Sequence, residues 1–244
     1  LKAATDDLAA SKIDVLVTAP INKHNVQSSE FNFPGHTEFL AKLSNVDNAL
    51  MLMVADKLRV AVVSGHIPLK DVAKNLTKEK IVNSISQLND SLVKDFGITR
   101  PKIAVLGLNP HAGDNGVIGD EEKDVISPAI SDAKGKGMLA FGPYSADGFF
   151  GSSVYTEFDG ILAMYHDQGL VPFKSISFGN GVNFTAGLPI VRTSPDHGTG
   201  FDIAGKNIAS ESSFRSALFT ALDIYKSRAM HKELNANPLQ KQKR

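Results

Sequence analysis

The chain has 244 residues, of which 42% are hydrophobic and 21% are charged, and its 26 basic and 26 acidic side chains balance to a net charge of zero. This balance argues against a general nucleic-acid-binding protein, which needs an excess of lysine and arginine to neutralise phosphates. The absence of cysteine excludes disulfides and thiolate metal sites. No apolar run approaches the roughly 18 residues of a membrane span and no signal peptide is recognisable, so we expect a cytoplasmic protein without membrane association.

Short apolar runs alternate with amphipathic segments along most of the chain. Strands are predicted at 13–18, 50–54, 60–64, 102–108 and 160–165. Helices are predicted at 1–10, 38–43, 69–75, 78–96, 121–136, 152–158 and 211–230. We expect Thr37 to cap the second of these helices at its N-terminus. The alternation is typical of an α/β protein with a largely parallel sheet that can include an antiparallel strand.

The stretch from 160 to 205 concentrates reactive side chains. A strand predicted to be buried on both faces, 160–165, ends directly at polar residues, and more follow in turn-rich surroundings. In open α/β sheets, ligands bind at the carboxyl ends of the strands. The candidate functional residues of this stretch are His166, Asp167, Gln168, Lys174, Asn183, Arg192 and the segment 196–199. We interpret the stretch as half of an active site.

Three predicted strands are each followed by a histidine: His66 after 60–64, His111 after 102–108 and His166 after 160–165. If the strands are parallel, these side chains should meet at one edge of the sheet, and three imidazoles are a natural site for a divalent cation. A histidine after a strand is, however, more often a hydrogen-bonded loop residue than a metal ligand. The chain has no HxH or HxxxH spacing that would decide between the two.

Two further residues have an ambiguous role. His36 precedes a helix whose N-terminal turn can hold an anion, but helix capping explains its neighbours equally well. Lys23 is either a ligand for an anion or a solvated lysine. No GxGxxG motif follows any predicted strand, so the common phosphate loop of dinucleotide-binding folds is absent.

Five sequence blocks resemble the signature blocks of a known family, and they occur in that family's order over essentially the whole chain. They are TAPINK at 18–23, FPGHTE at 33–38, NPHAG at 109–113, MYHDQG at 164–169 and RTSPDHGT at 192–199. The family is that of the 4-hydroxythreonine-4-phosphate dehydrogenases, or PdxA proteins, of pyridoxal phosphate biosynthesis. The blocks NPHAG and MYHDQG are specific to this family.

The resemblance implies a two-subdomain α/β/α sandwich like that of isocitrate and isopropylmalate dehydrogenases, which bind NAD without a glycine-rich loop. Residues 1–24 and 173–244 would form the remainder of a cofactor-side subdomain. Residues 25–172 would form a second subdomain with the metal-binding histidines and the interface of a homodimer, which shares its active site between subunits. Family members have roughly a hundred further residues before the first block, so the resemblance implies a chain that is truncated at its N-terminus.

The family's functional residues, transferred block by block, imply a complete catalytic site. The metal ligands would be His66, His111 and His166, holding zinc, magnesium or cobalt. The contacts to a phosphorylated hydroxy-amino acid would be His36, Thr37, Lys174, Asn183 and Arg192. His197 and Asp202 would bind NAD or NADP, and the proton acceptor would be Asp167 or Lys174. Val117 and Gly200 depart from the family pattern, which commonly has histidine and alanine there.

The implied reaction is oxidation of the substrate hydroxyl by hydride transfer to nicotinamide, followed by decarboxylation of the resulting β-keto acid. One alternative is a paralogous dehydrogenase for another phosphorylated hydroxy acid, such as 4-phosphoerythronate. Another, from a different class, is an enzyme similar to phosphate acyltransferases, which needs no histidine trio. A third is a fragment without catalytic activity.

Overall fold

The computed structural model describes residues 1–22, 25–28, 32–33, 35–46 and 49–238. Within these residues, eight strands form a single sheet: β1 (Leu16–Val17), β2 (Leu50–Ala55), β3 (Leu58–Ser64), β4 (Lys102–Leu106), β5 (Leu139–Tyr144), β6 (Gly160–Tyr165), β7 (Val182–Ala186) and β8 (Arg192–Pro195). The helices are α1 (Lys2–Ala9), α2 (His36–Leu43), α3 (Val72–Asn75), α4 (Lys78–Lys94), α5 (Ser127–Gly135), α6 (Ala146–Gly151), α7 (His166–Ser177) and α8 (Ser212–Leu234). No helix in the described part of the chain combines the length and the apolar character that crossing a membrane requires.

The strand order is β1-β8-β7-β2-β3-β6-β4-β5, and the sheet is mixed. β6 pairs in parallel with both β3 and β4, so these three strands end at the same edge of the sheet. β2 is antiparallel to β3 and β7, and β7 is antiparallel to β8. The predicted α/β class with antiparallel members is therefore confirmed. The segments that follow β3, β4 and β6, and that carry His66, His111 and His166, begin at the same edge of the sheet.

The two faces of the sheet are both buried, which explains the uninterrupted apolar runs of the central strands. In β6, Leu162 and Met164 pack into the core that contains the apolar face of α4, whereas Ile161 and Ala163 pack into the core that contains α7. The layers are thus helix, sheet and helix. The boundary expected at residue 172 lies inside α7, and the sheet is continuous on both sides of it, so the division into subdomains stays a prediction.

Several elements differ from their prediction. α2 begins at His36 with Gly35 as its N-cap, and no side chain caps it, so the prediction of Thr37 as the cap is wrong. Thr37 lies inside the first turn because the helix starts two residues earlier than its apolar pattern indicated. His166 is the first residue of α7 and not a loop residue. β5, β7 and β8 were not predicted. β8 is polar in sequence and becomes a strand through its pairing with β1 and β7.

Gly169 allows α7 to pack closely on the sheet. A Cβ atom there would lie 3.0 Å from Val60 Cγ1 and 3.1 Å from both Val62 Cγ1 and Ala163 Cβ. We expect Gly169→Ala to lower the free energy of unfolding by about 1–3 kcal/mol through overpacking, measured by urea denaturation. The control is Gly148→Ala in α6, where a Cβ would meet nothing within 4 Å and should be neutral or stabilise by up to about 1 kcal/mol. Equal urea midpoints for the two variants would contradict the close-packing argument.

Candidate active site

A crevice of about 280 Å³ lies between α2, α7 and the segment after β8, and it reaches the carboxyl ends of β3 and β6 at His66 and His166. It gathers eight of the eleven site residues that the sequence suggested: His36, Thr37, His66, His166, Lys174, Asn183, Arg192 and His197. These residues come from segments separated by up to 161 positions in the chain, from His36 to His197. The part of the crevice that contains His66 and His166 lies at the carboxyl ends of parallel strands, where α/β proteins bind their ligands.

The most buried polar group in the crevice is the side chain of Arg192, which is only 3% exposed. Its Nε and Nη2 atoms donate hydrogen bonds to Thr18 Oγ1 at 3.0 and 2.6 Å, and Nη1 donates to Thr185 Oγ1 at 3.3 Å. Burial lowers the pKa of the guanidinium to about 10, a shift that the negative charge of Glu38 opposes, so the group stays charged at neutral pH. Within the described residues Arg192 forms no salt bridge. A buried cation whose hydrogen bonds to Thr18 and Thr185 go to neutral hydroxyl groups suits an anionic ligand.

The contact of Arg192 with His36 defines the tautomer of the imidazole. Arg192 Nη2 lies 3.1 Å from His36 Nδ1. A guanidinium only donates hydrogen bonds, so Nδ1 accepts and the proton of the neutral ring is on Nε2. His36 and Thr37 also begin α2, where backbone N–H groups favour negative charge. This corner of the crevice is therefore built from hydrogen-bond donors.

His66 and His166 lie side by side, with their ring centroids 6.0 Å apart. Each has a carboxylate at its Nδ1 atom: Glu38 Oε1 at 3.3 Å for His66 and Asp167 Oδ1 at 2.7 Å for His166. Such a carboxylate orients the ring and leaves Nε2 available to a metal ion. Two rings on one tetrahedral zinc, with bonds of 2.0–2.1 Å, have centroids about 5 Å apart, so a small adjustment would let these two share an ion.

His111 does not join this pair in the same chain. It is exposed and is absent from the residues that line the crevice. Over the described residues, no group of three or more histidine, aspartate or glutamate side chains is arranged to hold a metal ion. The structure thus brings together two of the three predicted metal ligands.

The remaining crevice residues differ in how they are held. Lys174 Nζ donates to the backbone oxygen of Asp196 at 3.1 Å and is otherwise exposed. Asn183 Oδ1 is buried and accepts no hydrogen bond within the described part of the chain. A buried acceptor of this kind needs a donor, so a ligand with an ammonium or hydroxyl group would complete it.

Three predicted residues occupy peripheral positions. Asp167 has a 77% exposed side chain, contacts His166 and is not part of the crevice lining. His197 lines the crevice but is exposed, and its Nδ1 lies 2.8 Å from the backbone oxygen of Gly198. Asp202 is exposed on the short 3₁₀ turn Phe201–Ile203, outside the crevice lining. Lys23 lies outside the described residues.

Glu38, Thr18 and Thr185 are site residues that sequence reasoning missed. Glu38 and Thr18 belong to the FPGHTE and TAPINK blocks, but their partners His66 and Arg192 are 28 and 174 positions away. Thr185 carries no local signal, because its role arises only from the pairing of β7 with β8.

The sequence matches a known family along most of its length. Residues 1–221 match the family described as pyridoxal phosphate biosynthetic protein PdxA. This chain belongs to the PdxA family. A curated PdxA relative from Bacteroides thetaiotaomicron, named 4-hydroxythreonine-4-phosphate dehydrogenase, is 53% identical over 243 residues, which are 99% of this chain and 67% of the relative. The chain therefore spans about two thirds of that relative's length.

Solved structures agree with this family and with the wider fold. The crystal structure of 4-hydroxythreonine-4-phosphate dehydrogenase from Klebsiella pneumoniae is 38% identical with a TM-score of 0.82, covering 92% of this chain and 67% of that protein. Isocitrate dehydrogenase from Methylococcus capsulatus is 13% identical with a TM-score of 0.55, covering 97% of this chain and 74% of that protein. The second likeness shows the fold alone. The expected resemblance to the isocitrate dehydrogenase fold is confirmed.

Proposed function

We propose that this chain oxidises 4-phosphohydroxy-L-threonine to 2-amino-3-oxo-4-phosphooxybutanoate, which then loses carbon dioxide, in the biosynthesis of pyridoxal 5′-phosphate in the cytoplasm. The observation that carries the proposal is the crevice itself. It places a buried cation, Arg192, beside two histidines whose Nδ1 atoms face carboxylates. The name shared by the Bacteroides and Klebsiella relatives supports the choice of substrate.

The donor-rich corner suits the anionic groups of this substrate. Arg192 presents a planar fork that matches a carboxylate or phosphate, and His36 adds a donor at Nε2 beside it. Lys174 supplies a point charge at the mouth of the crevice, and Asn183 Oδ1 can accept from the substrate's ammonium or hydroxyl group. These contacts would orient the carbon that is oxidised.

The two carboxylate-backed histidines fit a divalent cation. Zinc, magnesium or cobalt held by His66 and His166 would supply Lewis-acid chemistry that lowers the pKa of the substrate hydroxyl. NAD or NADP, contacted by His197 and Asp202, would supply the hydride acceptor. The hydroxyl proton needs a base, for which a deprotonated Lys174 at the mouth of the crevice is better placed than Asp167, because the Asp167 carboxylate contacts His166 and does not line the crevice.

We further propose that the third metal ligand, His111, comes from a second copy of the chain in a homodimer. Its exposure and its absence from the residues that line its own crevice support this arrangement. The same loop exposes two apolar side chains, Val117 at 82% and Ile118 at 44%, which a partner could cover. A symmetric dimer would then contain two shared sites.

The test is formation of NADH or NADPH from 4-phosphohydroxy-L-threonine after chelation, with zinc or magnesium then restored. We expect turnover only with metal, and lower kcat/KM for 4-phosphoerythronate. The opposite substrate preference would support the paralogous dehydrogenase. Metal-independent acyl transfer to phosphate, without nicotinamide reduction, would support the acyltransferase. No turnover of any of these substrates, in a folded protein with metal bound, would support the third alternative, a fragment without catalytic activity.

A further inference from the structure

The loop that carries His111 has an unusual backbone. Five consecutive residues, 111–115, have φ between 43° and 79°, and four of the five are not glycine. L-residues avoid this left-handed region because Cβ approaches the following carbonyl oxygen, and a run of them persists only where the surroundings hold it. The cause has to lie in contacts that this loop makes with the rest of the chain.

Glu122 provides the main contact. Its side chain is buried at 5% exposure, and its carboxylate accepts three hydrogen bonds from the residues just before the left-handed run. Oε1 accepts from the backbone N–H groups of Leu108 and Asn109, both at 2.7 Å, and Oε2 accepts from Asn109 Nδ2 at 2.9 Å. Hydrogen bonds to an ionised acceptor are the strong ones, so this carboxylate fixes the exit of the chain from β4.

The loop is shaped around this carboxylate. A Cβ atom on Gly113 would lie 2.6 Å from Glu122 Oε2, and a Cβ on Gly107 would lie 3.0 Å from Glu122 Oε1 and 3.0 Å from Ala112 Cα. Glycine at these two positions lets the backbone approach the carboxyl group from both sides. The close approach of the loop backbone to the Glu122 carboxylate therefore depends on glycine at these two positions.

Gln168 connects the same loop to β6, the strand that ends just before His166. Its Nε2 donates to the backbone oxygen of Gly107 at 2.6 Å, and its Oε1 accepts from the backbone N–H of Met164 at 2.7 Å. His166 lies two residues before Gln168 on α7. These two hydrogen bonds of the Gln168 side chain thus anchor the His111 loop to the end of β6.

We propose that Glu122 is a positioning residue for metal binding: it holds His111 in the left-handed geometry in which the imidazole can reach the ion of the partner copy, and Gln168 anchors that loop to the end of β6 in its own chain. The inference rests on the proposed function, because it takes His111 to be a metal ligand. Glu122 itself is buried away from the crevice lining and would contact neither metal nor substrate.

The test compares zinc binding by the wild type, Glu122→Gln and Asp124→Asn, using calorimetric titration of the metal-free protein with Zn²⁺ alone. Glutamine keeps the size of the side chain, but its amide group would face the donor Asn109 Nδ2. We expect the Kd for zinc to rise about 10- to 100-fold, as for other residues that orient metal ligands. Asp124 lies on the same helical segment and is exposed, so Asp124→Asn removes the same charge and should bind zinc like the wild type.

Two more readouts separate positioning from a general loss of structure. Excess zinc should restore the kcat of Glu122→Gln but not that of His111→Ala, because only the second variant lacks the ligand. Amide hydrogen exchange in Glu122→Gln should increase at 108–119 and stay unchanged in β6. Equal zinc affinity of Glu122→Gln and Asp124→Asn would overturn the inference.

The outcomes also distinguish this inference from the proposed function. If His111→Ala binds zinc as tightly as the wild type, the proposed metal site fails. If His111→Ala loses zinc and Glu122→Gln does not, only the positioning role fails. If Glu122→Gln does not fold, Gln168→Met is the deciding variant, because it removes both hydrogen bonds of the Gln168 amide without changing the loop itself. A raised Kd for zinc supports the inference, and an unchanged Kd overturns it.

Discussion

Coexpressed His111→Ala and His166→Ala chains should recover about a quarter of the wild-type dehydrogenase activity, although each variant alone should lose it by at least about a thousandfold. The loss corresponds to the several kcal/mol that a Lewis-acid metal contributes to the reaction. Recovery is expected because half of the dimers are mixed, and in each mixed dimer one of the two shared sites combines an intact His111 with an intact His166. The measurement is nicotinamide reduction by the purified mixture at saturating metal.

The matched control is the pair His66→Ala and His166→Ala. Both of these residues line the crevice of one chain, so a mixed dimer would have a defect in each of its sites. This second mixture should stay as inactive as its components. Failure of the first mixture to recover, with mixed dimers demonstrated, would contradict a site shared between subunits.

Replacing Arg192 by methionine should abolish anion binding while leaving the fold intact. Because the wild-type guanidinium is buried without a carboxylate partner in the described part of the chain, methionine removes a desolvated charge as well as four hydrogen bonds. We expect the unfolding temperature of the free protein to change little. Loss of a buried cation that contacts the substrate should lower kcat/KM by about 30- to 5,000-fold.

Thermal unfolding with inorganic phosphate checks the same prediction without turnover. At one hundred times its Kd, phosphate should raise the unfolding temperature of the wild type by about 5–10 °C and should not raise that of Arg192→Met. A phosphate-dependent rise of equal size in both proteins would show that Arg192 is not the anion site.

Arg228 supplies the contrasting control. Its Nε atom lies 2.6 Å from Asp95 Oδ1, and the two side chains are 12% and 2% exposed. Arg228→Met would leave the Asp95 carboxylate buried without its partner, which should lower the free energy of unfolding by about 3–5 kcal/mol. Phosphate should still raise the unfolding temperature of this variant. The two arginines thus separate a cation kept for a ligand from a cation kept for stability.

Local sequence patterns were sufficient for the apolar strands β2, β3, β4 and β6. The run at 160–165 is apolar without interruption because both faces of β6 are covered by helices, and a residue's hydrophobicity reports its burial directly. The histidines that follow β3, β4 and β6 could be placed at one edge of the sheet for the same reason, since parallel strands end together. The sequence blocks also identified the family.

Only the tertiary structure decided how these residues combine. Arg192 is a strand residue because β8 is paired on both sides. Glu38 becomes the partner of His66 because the fold brings together two side chains that are 28 positions apart. The left-handed path at His111 follows from a buried carboxylate eleven residues later. By itself, the sequence determined the α/β class, the family and the edge of the sheet at which the site lies. Which side chains meet there, and that His111 stays apart from the other two histidines, depended on contacts between distant segments, which local periodicity does not encode.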